Sequence, residues 1–232
     1  MKKENLLFGI VGLLGGLIIG FMFANSINQN AAVPVSADTS VKSNSNLPPG
    51  HPDISGGKGT QGIMQPDMQA AIEKAKQSPS DFDAQVKAAE AYYQIAKFDE
   101  AITFLAAANK LKPDDREVLV HLGNANFDGD HYDEAEKWYT AALAKKPEDV
   151  DVRTDLGLTF VFREPPNYDR AIQEFNKSLE IDPEHIQTLQ NLTVAYTKKG
   201  DTAKAQTTLA KLEAIDPKNT AIDKLKQDLE KK

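Results

Sequence analysis

Cysteine is absent from the 232 residues, which excludes disulfides, thiolate metal sites, thiol nucleophiles and haem held through a Cys-x-x-Cys-His motif. A lipoprotein anchor is excluded too, since its lipid needs that thiol. Histidine is scarce: His51, His121, His131 and His185 are the whole set, and no two stand at a metal-ligand spacing such as His-x-x-x-His. No hydrolase elbow is present, and the Gly-Gly-Lys-Gly stretch from Gly56 to Gly59 lacks the P-loop pattern. Asn124, Asp128, Asp130, Asp133 and Glu134 crowd together but miss the EF-hand spacing and its terminal glutamate. Helix ends explain such acids better, and Asp99 and Asp133 are expected to be N-caps. No catalytic residue, metal or cofactor is therefore expected, and the chain is not expected to be an enzyme. Basic charge is also short. The net charge is −7, and from Asp67 onward 31 acidic residues face 23 basic ones, which argues against a nucleic-acid partner.

A long hydrophobic run occurs once. Leu6 to Ala24 is 19 residues without a charge, and a helix of that length covers roughly the hydrocarbon thickness of a bilayer. Lys2 and Lys3 precede it and the next basic residue is Lys42, so the positive-inside bias puts the N-terminus in the cytoplasm. The expectation is a single-pass anchor, residues 1–24, in the inner (cytoplasmic) membrane, with the remainder periplasmic. A cleaved secretory signal is the other reading and leads to the same compartment. The run exceeds the usual apolar region of a signal, and Ala24-Asn25-Ser26 is a poor cleavage site. Gly12, Gly16 and Gly20 share one helix face, which suits a homodimer through the anchor; glycine is also simply frequent in membrane helices, and both readings stand.

Residues 25–65 are rich in Asn, Ser, Gly and Pro and carry little periodic apolar content, as expected of a flexible linker. Its span would be roughly 35 Å. The Pro48-Pro49-Gly50-His51-Pro52 cluster reads as turn-forming linker rather than as a site around His51.

Beyond residue 65 the prolines keep time: Pro79, Pro113, Pro147, Pro183 and Pro217 stand 34, 34, 36 and 34 residues apart. A helix breaker at that period implies supersecondary units of one size. Twelve residues before each of the last four prolines stands an alanine (Ala101, Ala135, Ala171, Ala205), where paired helices pass closely. One turn later comes a bulky residue: Leu105, Tyr139, Phe175 or Leu209. Earlier in the second and third units Leu122-Gly123 and Leu156-Gly157 put glycine in mid-helix, a cost of about 1 kcal/mol that close backbone packing outweighs. An aromatic follows the small position in three units (Tyr92, Phe160, Tyr196), with Asn126 in the second.

These columns resemble the tetratricopeptide repeat (TPR) family, whose 34-residue signature sets Trp, Leu-Gly, Tyr, Ala, Phe and Pro at fixed offsets. Four units match, about 82–115, 116–149, 150–185 and 186–219. The first has Ala88-Ala89 in place of Leu-Gly and the fourth Leu192-Thr193, so different packing is expected there. The Trp column holds Gln85, Leu119, Arg153 and Leu189. Two extra residues near Arg163 to Asn167 fall, with Pro165-Pro166, in the turn of the third unit. Asp67 to Gln77 and Thr220 to Leu229 are amphipathic and expected to cap the stack, the second within a C-terminal cap of 220–232. The expected fold is all-α: a TPR solenoid of about four helix-turn-helix repeats over 66–232 with flanking capping helices, preceded by a transmembrane helix and a disordered linker.

The resemblance implies that the first helix of each pair lines a concave groove for a partner polypeptide. Carried over by register, the groove candidates are Val86, Glu90 and Tyr93; Val120, Asn124 and Phe127; Leu158 and Val161; and Gln190, Val194 and Thr197. Relatives that clamp a chaperone's acidic tail use cations beside Asn; only Asn124 is supplied here, so that partner is disfavoured. An apolar groove with Asp83, Glu117 and Asp151 at its rim suits an amphipathic, mildly basic protein segment. The expected role is a membrane-tethered scaffold in assembly of an envelope complex. The layout of one anchor followed by exported repeats also looks like accessory subunits of cytochrome c maturation that grip an apocytochrome helix.

Overall fold

The computed structural model describes residues 66–231. The run from Leu6 to Ala24, with Gly12, Gly16 and Gly20, and the segment 25–65 lie outside the described residues. Among the described residues no helix is long and apolar enough to cross a membrane. Ten α-helices are found there: α1 (Pro66–Gln77), α2 (Phe82–Gln94), α3 (Phe98–Leu111), α4 (Arg116–Asp128), α5 (Tyr132–Lys145), α6 (Val150–Phe162), α7 (Tyr168–Ile181), α8 (Ile186–Lys199), α9 (Thr202–Ile215) and α10 (Ile222–Glu230). The helices pair as α2/α3, α4/α5, α6/α7 and α8/α9, and the second helix of each pair packs on the first of the next. At the ends, α1 packs on α2, and α10 on α8 and α9. This is an all-α solenoid of TPR type.

Local chemistry sets the boundaries. Each periodic proline stands two residues beyond a helix end, where its ring and missing N–H stop the helix from continuing. At the starts, Asp81, Asp115, Asp149 and Asp201 accept a hydrogen bond from the backbone N–H three residues on, and Asn167 does the same for α7. Asp99 and Asp133 do not cap, contrary to expectation. The N-cap positions of α3 and α5 are Lys97 and His131, without a side-chain cap, and both acids lie in the first turn. There they favour the helix through the dipole, and Asp133 also pairs with Arg163 at 2.7 Å. Asp115→Ala is accordingly expected to cost about 1 kcal/mol in urea denaturation, whereas Asp99→Ala costs less than about 0.5 kcal/mol.

The turns inside the pairs carry a second regularity. Ala96, Asp130 and Gly200 have φ of 55°, 62° and 89° at equivalent positions of the first, second and fourth pairs. The left-handed backbone closes the turn; glycine adopts it freely, while alanine there bears roughly 1–2 kcal/mol. In the third pair the extra residues replace this turn, and the Asn167 N–H reaches back to the Phe160 carbonyl at 2.7 Å.

The small column does what packing requires. Ala101, Ala135, Ala171 and Ala205 are all fully buried. Tyr139 and Phe175 are buried as well, and each ring lies over the mid-helix glycine of its partner: a Cβ on Gly123 would stand 2.4 Å from Tyr139 Cε1, and one on Gly157 2.4 Å from Phe175 Cε1. The outer pairs reverse the sizes. Ala89 and Thr193 hold the glycine position while Leu105 and Leu209 stand where the rings do, so the departures from Leu-Gly are a volume exchange.

Candidate functional site: a groove along the first helices

The first helices α2, α4, α6 and α8 approach one another across the repeats. Tyr93 of α2 donates its hydroxyl to Asp128 of α4. Phe127 of α4 meets Phe162 of α6 edge to face, ring centroids 5.7 Å apart, and Tyr132 completes the aromatic group at 5.5 Å from Phe127. Further along, α6 packs directly on α8. These contacts put the row of first helices on the tighter side of the stack, where their outward side chains form one continuous surface.

The candidates fall into two groups on that surface. Val86, Glu90, Tyr93, Val120, Phe127, Val161, Gln190 and Val194 are half-buried and reach solvent. Asn124, Leu158 and Thr197 are 4%, 5% and 7% exposed and serve the interior. Asn124 accepts the Tyr139 hydroxyl at 2.8 Å, and the Thr197 hydroxyl donates to the Thr193 carbonyl at 2.8 Å. Gln190 is engaged at the end cap, its amide donating to Asn219 at 2.7 Å.

Register reading named Glu90 and the rim acid Asp151 but left Asp128 and Asp155 out of the groove. Asp128 follows Phe127 at the end of α4 and is pushed up to about 6, chiefly by burial, with Asp130 adding and the Tyr93 hydrogen bond opposing. Asp155 on α6 is pushed up to about 8: burial comes first, then the like charges of Asp151, Asp128 and Asp149. Burial also raises Glu90. On the neighbouring turn Asp151 is held low by His185, whose Nε2 lies 3.0 Å away. The repulsion on Asp155 was in the sequence, since it stands one helical turn after Asp151; its burial was not. Among the described residues no three His, Cys, Asp or Glu side chains converge to hold a metal ion.

Tetratricopeptide repeat family models match residues 86–150, 120–186 and 166–229, together well over half of the chain. The chain belongs to the tetratricopeptide repeat family. Among solved TPR structures it is similar to MamA, at 26% identity and a TM-score of 0.61 over 72% of this chain and 97% of that one. MamA from Desulfovibrio magneticus RS-1 is similar at 21% identity and a TM-score of 0.60, over 66% and 85% of the two chains. YrrB, described as a TPR protein with an unusual peptide-binding site, matches at 20% identity and a TM-score of 0.61, over 69% and 84%. The last two likenesses show the fold alone. No curated protein matches the chain.

Proposed function

We propose that this TPR chain is a scaffold that seats a partner polypeptide along α2, α4, α6 and α8, and does so tethered to the inner membrane through residues 6–24 in assembly of an envelope complex. One observation carries the binding reading: Val120, Phe127 and Val161 stay half-buried on adjoining first helices, an apolar strip left open where the interior beneath is already filled. An amphipathic segment would cover it in the helix-in-groove mode. The tether rests on the uncharged run and on the basic residues before it.

The test is co-purification from solubilised membranes. The chain carrying Phe127→Ala and Val161→Ala is expected to recover at least about tenfold less of the wild-type partner, the loss of one modest hot spot, with an unchanged circular dichroism spectrum. Equal recovery would place the contact elsewhere on the solenoid. Wild-type chain found only in the soluble fraction would remove the tether, and a c-type apocytochrome among the recovered proteins would narrow the role to cytochrome maturation.

A further inference from the structure

We propose that the segment seated in this groove presents a lysine or arginine to Asp155 and Asp128, between apolar side chains that lie on Val120, Phe127 and Val161. The inference rests on the groove reading above and names what distinguishes its guest.

The carboxylates share α4 and α6 with the apolar strip. Asp128 adjoins Phe127, and Asp155 lies on α6 between Asp151 and Leu158. Both are half-buried, and among the described residues neither has a cation within ion-pair reach; the charged neighbours acting on Asp155 are the carboxylates of Asp151, Asp128 and Asp149. Elsewhere on the domain buried acid is matched: Glu174 pairs with Arg153 at 3.0 Å and with Lys177 at 2.8 Å. Two half-buried acids on adjoining helices, with further acid around them and no cation paired to either among the described residues, favour any cation that can reach them. Tyr93 already donates to Asp128, so a guest's N–H groups fall to the oxygens that remain.

A metal ion is a poor candidate, because no third ligand converges there among the described residues. A second unmet group points to a polypeptide. Asn191 holds on α8 the register of Asp155 on α6; it is 7% exposed, and among the described residues its amide nitrogen has no hydrogen-bond partner. A main-chain carbonyl of a bound segment would satisfy that donor once the side chain turned outward. The favoured guest therefore offers a cation to the middle of the groove and backbone to its C-terminal part, with aliphatic or aromatic residues on either side of the cation.

A displayed library of random 14-residue peptides, panned on the full chain, tests this. Wild-type binders are expected to converge on a Lys or Arg flanked by apolar residues. The best peptide, resynthesised with norleucine at that position, should lose at least tenfold in affinity. Asp155→Asn should impose the same loss on the basic peptide and little on the norleucine one, because the cycle isolates the pair. Binders without a basic position, or indifference to Asp155→Asn, would overturn the proposal. Binding that is lost in the Phe127→Ala, Val161→Ala chain yet indifferent to the cation would leave the groove standing and the cation refuted. Binding that survives every one of these substitutions, or no enrichment over an unrelated chain, would refute the groove itself.

Discussion

Asp155→Asn is expected to stabilise the repeat domain by on the order of 4–5 kcal/mol at pH 9 and to change it little at pH 4. The folded chain pushes this carboxyl up to about 8 from 3.8, first because burial penalises the charge and then because Asp151, Asp128 and Asp149 repel it. Between about pH 4 and pH 8 the folded state therefore holds a proton that the unfolded chain has released. Stability falls with rising pH across that window, by up to about 1.4 kcal/mol per unit, and the loss is complete once the carboxylate is ionised in both states. Asparagine keeps the shape and removes the charge, so the part of the slope that belongs to Asp155 should disappear, leaving the smaller one from Asp128 between about pH 4 and pH 6. The measurement is urea denaturation of both chains at pH 4, 7 and 9. Parallel profiles would show that Asp155 is solvated well enough to ionise normally.

The same substitution ties stability to the proposed recognition. A carboxylate left in an acid neighbourhood weakens the free domain, and a guest cation would reverse that cost on binding. Asp155→Asn should thus make the empty protein sturdier and the basic peptide a poorer ligand, opposite signs that a residue of purely structural role would not give.

Much of this architecture was legible because it is written in period. The prolines mark helix ends at a constant offset, and the alanine column marks the close passage in each pair. The groove was legible only in part. Register says which helix face a side chain takes, not how near the next helix comes, so Asn124, Leu158 and Thr197 were read as open although all three are buried, Asn124 under the Tyr139 hydroxyl of its own pair. Asp128 and Asp155 were missed for the complementary reason: charge is visible in sequence, desolvation is not. Asp99 and Asp133 went wrong by two residues. Phe98 and Tyr132 already belong to α3 and α5, which moves the N-cap back to Lys97 and His131.

Phe175→Ala is expected to destabilise the domain by about 3–5 kcal/mol, the range for emptying a buried aromatic site. The side chain is fully buried, and the space beneath it exists because residue 157 is glycine. Gly157→Ala probes that contact from the other side. Helix propensity alone would reward it with about 1 kcal/mol, but its methyl carbon would stand 2.4 Å from one ring carbon and 2.7 Å from another. Crowding in a packed interior costs about 1–3 kcal/mol, and a buried ring has no loose end to move aside, so net destabilisation is expected. The outer repeats indicate the remedy, since Ala89 coexists with Leu105 in one buried cluster. Gly157→Ala combined with Phe175→Leu should recover at least about 1 kcal/mol relative to the sum of the single changes, read as a double-mutant cycle in urea. If Gly157→Ala proved stabilising by itself, or the two changes simply added, the exchange of volume between the columns would not be what holds each pair together.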